Sequence, residues 1–115
     1  MSGPCPFCAV ASGEADADVI HSSDNVLAFR DRNPQAPTHI LLVPKEHVRS
    51  MRELGEDHAE MLAELFATAA HLARTEGIDG GGWRIVANVG ADAGSSVDHL
   101  HFHLLGGRRM GWPPG

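Results

Sequence analysis

"DHLHFHLLGG", residues 98–107, alternates histidine with large apolar side chains. Successive side chains of a β-strand point to opposite faces of the sheet, so this pattern predicts a final strand over residues 97–107. On that strand His99, His101 and His103 would share one face, with about 6.6 Å between neighbours. The apolar residues between them would pack beneath a helix on the other face.

Three roles fit an aligned set of imidazoles. They are an exposed sheet face that merely tolerates histidine, a zinc hydrolase site, or nucleophilic attack on phosphorus by the middle residue, His101. A neutral imidazole is a good nucleophile near pH 7, provided that one ring nitrogen keeps its lone pair. The other nitrogen must then donate its proton, and a backbone carbonyl or His39 could accept it.

The loop before the final strand favours the nucleophilic role. It reads "NVGADAGSS", residues 88–96, and contains Gly90 and Gly94, whose backbones can approach a ligand closely. Exposed N–H groups in such a turn form an anion-binding concavity. Ser95 and Ser96 add hydroxyl groups beside it. The loop and the three histidines together indicate a phosphate site.

The remaining pattern predicts four further strands and one long helix. Acidic residues from Glu56 onward mark the start of the helix, and Gly77 marks its end. Short links favour antiparallel pairing, so we expect an α+β domain with a five-stranded antiparallel sheet and the helix on one face. The strands are predicted at residues 18–23, 25–31, 39–44 and 82–90. The helical apolar stripe comprises Met61, Leu62, Leu65, Phe66, Ala69, Leu72 and Ala73, and His21, His58 and His71 are predicted at the surface.

Composition narrows the class of protein. A chain of 115 residues corresponds to one domain, and 43% hydrophobic with 21% charged residues is typical of a globular protein. The net charge of −6 disfavours nucleic acid or an anionic membrane as partner, because both attract Lys and Arg. No apolar run approaches the length of a membrane span, and no signal peptide is evident. We expect a cytoplasmic protein.

The sequence resembles the histidine triad (HIT) family, and within it the Hint branch. The resemblance rests on "HLHFHLL", on "DRNPQAPTHILLVPKEH" and on the ending "LGGRRMGWPPG", and it runs from Phe7 to Gly115. It implies a single HIT domain over residues 1–115, with a homodimer whose sheets join into one. It also implies binding of purine nucleoside monophosphates and hydrolysis of the P–N bond in their phosphoramidates, through a nucleotidyl-histidine intermediate. No cofactor is required for that chemistry.

The resemblance assigns roles to individual residues. His101 falls on the nucleophile, and the other catalytic positions are His39, His99, His103 and Ser96. The nucleotide-binding positions are Phe7, Val10, Phe29, Asp31, Asn88, Gly94, Ser96, His101, His103 and Trp112. Two positions depart from the family's pattern: Ser95 stands where glutamine is frequent, and Asp98 where an aromatic ring is frequent.

The two terminal segments carry further expectations. Cys5 and Cys8, in the segment 1–10, have the spacing of a metal knuckle. A redox C-x-x-C opens a helix after a strand, and no apolar run precedes Cys5, so we favour metal over redox. The resemblance completes a structural zinc set with His47 and His99. It also places the tail, residues 108–115, near the partner's active site through Trp112.

Three alternatives stay open at this point. They are a zinc-dependent hydrolase with the triad as ligands, a nucleotide-binding or scaffolding protein whose hydrolysis is incidental, and a dinucleoside polyphosphate hydrolase of the same superfamily. The sequence does not name the leaving group, nor does it choose between adenine and guanine.

Overall fold

The computed structural model describes residues 5–115 and contains two helices and five strands in that range. The segment predicted to hold the metal knuckle, residues 1–10, therefore begins outside the described residues. Short 3₁₀ turns lie before α2 and between β4 and β5. The elements are α1 (Pro6–Ser12), β1 (Val19–Ser22), β2 (Val26–Arg30), β3 (Thr38–Pro44), α2 (Ala59–Thr75), β4 (Trp83–Val86) and β5 (Phe102–Gly106).

The strands form one antiparallel sheet in the order β1-β2-β3-β5-β4. The α+β class, the five strands and their pairing are confirmed. β3 lies at the centre, and all seven of its residues are buried. A strand covered on both faces reads as a continuous apolar run, which explains "HILLVP". On β5, His103 pairs with Leu41 of β3, so the register brings the triad beside the central strand.

The two faces of the sheet are covered by different helices. α2 covers one face, where Leu65, Ala69 and Leu72 join a cluster that includes Leu100 and Phe102. The shorter α1 covers part of the other face, where its apolar side chains pack against a second cluster of four buried strand residues. The members of that second cluster are Leu27, Phe29, Leu41 and Val43.

The final strand is shorter than predicted. β5 begins at Phe102 and not at Val97, so only His103 of the triad belongs to it. The backbone N–H of Leu100 donates instead to the carbonyl of Val48 at 2.6 Å, outside the ladder. The partner strand β3 ends at Pro44, which has no N–H to extend the pairing. The alternation nevertheless persists, because Leu100, like the apolar residues after it, is buried on the α2 side.

A short helix at the N-terminus was not predicted. α1 has Cys5 as its N-cap, and the Cys8 N–H donates to Cys5 Sγ at 3.4 Å. The C-x-x-C therefore opens a helix, which is one of the two features named for a redox pair; the other, a preceding strand, would fall outside the described residues. With only seven residues, α1 has too few positions for its apolar period to stand out from the sequence. The predicted fourth strand also shortens, from residues 82–90 to Trp83–Val86.

Two of the three histidines predicted at the surface need revision. His71 is exposed as predicted, but His21 and His58 are half-buried. His21 follows an irregularity in the β1 register, and its Nε2 is buried without a hydrogen-bond partner among the described residues. His58 precedes α2, where its Nδ1 accepts from the Gly55 N–H at 3.1 Å.

Phe66 was predicted in the core but is 44% exposed, although the centroid of its ring lies 5.1 Å from that of Phe102.

No helix within residues 5–115 has the length and apolar character needed to cross a bilayer.

Candidate active site

A cavity of about 380 Å³ opens between α1, the end of β2 and the triad. We call it the main cavity. Its apolar wall is formed by side chains of α1 and of the second cluster, and its polar wall by histidine, serine and aspartate. Seven predicted nucleotide-binding residues line it: Phe7, Val10, Phe29, Asp31, Ser96, His101 and His103. The other three, Asn88, Gly94 and Trp112, do not line it, and Trp112 is 83% exposed.

His101 is held in one tautomer. Its Nδ1 lies 2.7 Å from the backbone carbonyl of His99, and a carbonyl can only accept a hydrogen bond. In the neutral ring, Nδ1 therefore carries the proton, and Nε2 keeps its lone pair. The ring is half-buried at the cavity wall, with the edge of Phe7 at a centroid distance of 5.0 Å. This is the protonation pattern that nucleophilic attack by Nε2 requires.

His103 and His39 form a second ordered pair. The Gln35 N–H donates to His39 Nδ1 at 3.0 Å, so the proton of His39 resides on Nε2. That nitrogen donates to His103 Nδ1 at 2.9 Å, which leaves His103 with its own proton on Nε2. Burial, with the neighbouring His101 and His39, lowers the pKa of His103 to about 4. Burial also lowers the pKa of His39, so both rings are neutral near pH 7, and His103 offers one N–H donor beside His101.

Asp31 links this pair to the cavity wall. Its Oδ2 lies 3.4 Å from His39 Nε2, and its Oδ1 accepts from the Asn33 N–H at 2.9 Å. The second contact is an Asx turn in the loop after β2. A carboxylate has four acceptor sites, so the side chain retains capacity for further hydroxyl donors. Its position at the cavity is therefore compatible with a role in holding a ribose.

A separate cluster joins Cys5, Cys8, His47 and His99, whose ligand atoms lie within 4.8 Å of one another. The sequence expectation named this same set. His99 is fully buried, and its Nε2 donates to the Pro44 carbonyl at 2.8 Å. Its Nδ1 therefore keeps a lone pair, 3.2 Å from Cys5 Sγ. Cys8 Sγ lies 3.3 Å from His47 Nδ1.

The donor set of this cluster fits zinc. Two thiolates and two neutral imidazoles are a structural zinc set, and the hydrogen bond from His99 to Pro44 fixes the ring as outer partners of metal-binding histidines do. A second group, formed by Asp31, His39 and His103, also has metal-compatible spacing. Three of its four imidazole nitrogens, however, are already paired with each other or with Gln35, and the fourth, His103 Nε2, carries a proton. Among the described residues, the three triad histidines do not form a metal group together.

Several contacts at the site come from atoms that no side-chain motif reveals. The His99 carbonyl, the Pro44 carbonyl and the Gln35 N–H set the three imidazole tautomers. Backbone groups are present at every residue, so only the three-dimensional path of the chain shows which of them are used. Arg32 at the cavity wall was also missed; its Nη2 donates to the Asp16 carbonyl at 2.6 Å.

Comparison with known proteins identifies the family. A family model described as "HIT domain" matches residues 12–110. The chain is 44% identical over 114 residues to a 14 kDa zinc-binding protein of Zea mays, covering 97% of this chain and 88% of that protein. It is also 44% identical over 114 residues to adenylylsulfatase HINT1 of Arabidopsis thaliana, covering 97% and 77% respectively. The crystal structure of a HIT family hydrolase from Legionella pneumophila Philadelphia 1 superposes with a TM-score of 0.95 at 47% identity, covering 97% of this chain and 100% of that one.

Proposed function

Because this chain belongs to the HIT domain family, we propose that it is a hydrolase that cleaves the P–N bond of purine nucleoside 5′-phosphoramidates. The observation that carries the proposal is the hydrogen bond between Nδ1 of His101 and the His99 carbonyl, because it leaves Nε2 of a ring that lines the main cavity available for attack. The apolar wall at Phe7 and Phe29 suits a purine base, and Asp31 suits the ribose hydroxyls.

The reaction has two balanced steps. In the first, His101 Nε2 forms a bond to phosphorus, the P–N bond breaks, and the leaving nitrogen takes up a proton. The Ser96 hydroxyl or a neighbouring histidine can relay that proton. In the second, water attacks phosphorus, its proton returns to the group that protonated the leaving nitrogen, the bond to Nε2 breaks, and the nucleoside monophosphate leaves. The neutral His103 donates a hydrogen bond to a phosphate oxygen during both steps.

The cysteine and histidine cluster holds structural zinc in this proposal. The ion would be bound by Cys5, Cys8, His47 and His99, and it would fix α1 against the sheet. The zinc-binding name of the Zea mays relative supports the assignment. Catalysis itself then needs no cofactor. We also propose a cytoplasmic homodimer whose two sheets join into one at an edge strand, with the tail and its Trp112 reaching the partner's site.

One experiment tests the reaction. Purified protein is supplied with adenosine 5′-phosphoramidate, and turnover is compared among wild type, His101→Ala and His71→Ala, an exposed histidine on α2. We expect His101→Ala to lose at least about 10³-fold in kcat and His71→Ala to match wild type. Rapid quenching with labelled nucleotide should trap an adduct on His101. Full turnover by His101→Ala would refute the mechanism.

A second candidate reaction is cleavage of adenylyl sulfate. It is favoured by the name of the Arabidopsis relative, and it needs the same nucleophile with sulfate as the leaving group. Parallel kcat/KM measurements on adenylyl sulfate and on the phosphoramidate decide which bond is preferred. Turnover of the same two substrates in the presence of a chelator tests the alternative of a zinc-dependent hydrolase. Covalent histidine catalysis should survive removal of a catalytic metal, whereas a zinc-dependent hydrolase should lose its activity. A scaffolding protein would turn over neither substrate at a useful rate, and a polyphosphate hydrolase would prefer dinucleoside polyphosphates.

A further inference from the structure

A second cavity lies on the far side of the loop that borders the main cavity. It has a volume of about 400 Å³, and we call it the arginine cavity after Arg49 and Arg52, which line it with Ser95. The next residue along, Ser96, lines the main cavity. Consecutive Cα atoms are only about 3.8 Å apart, so a single stretch of backbone separates the two cavities.

The loop is held in a compact form where it divides them. The Ser95 N–H donates to the Gly90 carbonyl at 3.1 Å, and the Gly94 N–H donates to the Ala91 carbonyl at 2.9 Å. Gly90 has a φ of 81°, and a Cβ there would lie 2.8 Å from Nη2 of Arg52. Glycine at this position therefore lets the guanidinium of Arg52 rest directly against the loop.

The two arginines of the arginine cavity differ in whether a carboxylate lies near their guanidinium groups. The Glu53 carboxylate accepts from the backbone N–H of Arg49 at 2.8 Å, and Asp98 lies 4.0 Å from the Arg49 guanidinium. The Arg49 and Asp98 side chains are 63% and 76% exposed, so this pair is weak. Within residues 5–115, the Arg52 guanidinium has neither a carboxylate within 4.0 Å nor a side-chain hydrogen bond, so its fork of N–H donors is open to a ligand.

The geometry points to a subsite for an oxyanion carried by the leaving group, with Arg52 as its main contact and Arg49 as its second. This inference rests on the proposed function. In a displacement at phosphorus, the nucleophile and the leaving group lie roughly in line on opposite sides. With the base against Phe7 and the phosphorus at His101, a leaving group that passes Ser96 reaches the arginine cavity. The substrate class is then a nucleoside phosphoramidate whose amine bears a carboxylate.

A matched pair of substrates tests this inference. One is AMP joined through nitrogen to β-alanine, and the other is AMP joined to β-alanine amide, which has the same length without the charge. Wild type should prefer the carboxylate by about tenfold in kcat/KM, the size of a charge-assisted hydrogen bond. Arg52→Gln should bring that ratio to about one. Arg74→Gln, an exposed arginine at the end of α2, should keep the wild-type ratio.

The outcomes separate the inference from the proposed function. If neither substrate is cleaved and no adduct forms on His101, the proposed function is wrong. If both are cleaved at equal rates by wild type, the reaction stands and the subsite is wrong. An unchanged preference in Arg52→Gln, with its thermal midpoint showing a folded protein, also overturns the role of Arg52. In 0.5 M salt the preference should shrink, because the site is open to solvent.

Discussion

The carbonyl of His99 accepts a hydrogen bond from Nδ1 of His101 at 2.7 Å, while the ring of the same residue faces Cys5 and Cys8. One buried histidine therefore touches both the candidate nucleophile and the candidate metal cluster. Phe7 makes a parallel connection, since it lies between the two cysteines in sequence and its ring edge meets those of His99 and His101.

Loss of the metal cluster, formed by Cys5, Cys8, His47 and His99, should weaken nucleotide binding more than it slows the chemical step. In Cys5→Ser/Cys8→Ser we expect zinc content to fall to background and KM to rise about threefold to tenfold, because α1 no longer fixes Phe7 against the cavity. Metal analysis and steady-state kinetics measure the two effects.

Phe7→Leu is the matched control for that variant. It should raise KM to a similar degree while it retains zinc. Thermodynamic linkage also applies to the wild type. If bound zinc raises the affinity for AMP by a given factor, bound AMP must raise the affinity for zinc by the same factor. An unchanged KM in the zinc-free double variant would contradict the connection.

The tautomer of His103 should depend on His39. Replacing His39 with leucine removes the Nε2 donor, so His103 is free to place its proton on Nδ1 and lose its donor toward the phosphate. We expect kcat to fall about tenfold, equivalent to about 1.4 kcal/mol. His39→Gln restores an N–H donor in a side chain of similar reach and should lose less. Equal kcat values for the leucine variant and wild type would exclude this role.

Stability should decline in acid because of His103. Its pKa is about 4 in the folded state, against an ordinary value of 6.5, so the unfolded chain binds more protons between those two values. The free energy of unfolding should therefore fall as the pH is lowered from about 6.5 towards 4. Urea titrations at pH 7 and pH 5 should show a smaller loss for His103→Gln. An equal loss in both proteins would assign the acid sensitivity elsewhere.

The ion pair of Arg30 with Glu76 should contribute to stability. The two guanidinium contacts, at 2.7 and 3.0 Å, join the end of β2 to the C-cap of α2. They also hold the pKa of the Glu76 carboxyl below its usual range. Glu76→Gln should cost about 1 kcal/mol, the upper end for a pair at the surface. Glu60→Gln, exposed in the first turn of α2, should cost little in the same urea titration.

The tail should affect substrate choice more than folding. Trp112 is 83% exposed, and the Gly111 carbonyl accepts a hydrogen bond from Arg84 at 3.1 Å. Deleting residues 110–115 should therefore lower the thermal midpoint only slightly. The relative rates on adenosine and guanosine phosphoramidates should change if the tail reaches the partner's site. Unchanged relative rates would refute that placement.

Most of the fold could be predicted from the spacing of apolar residues along the sequence. The stripe of α2 and the alternation around the triad each contain enough residues to identify the element and its buried face. Element ends were less predictable, because they depend on partners: β5 starts at Phe102, opposite Leu42, and the N–H of Leu100 donates to Val48 outside the ladder. The short α1 had no comparable signal.

Side chains that carry chemistry allowed candidate site residues to be named from the sequence. Cys5, Cys8, His47 and His99 assemble as expected, and His101 and His103 both face the main cavity. The tautomers could not be assigned from sequence, because they are fixed by backbone groups brought close only by folding. Arg52 carried no motif either, since its significance comes from the approach to Gly90 across the loop.

The metal cluster draws its members from distant parts of the chain, with Cys5 and His99 separated by 94 positions. During synthesis the two cysteines leave the ribosome early, but they offer an ion only half of its ligands. The full set exists only once the segment that carries His99 and the candidate nucleophile His101 has emerged and docked. Tight capture of zinc by a nascent chain would therefore mark the moment at which that segment is in place.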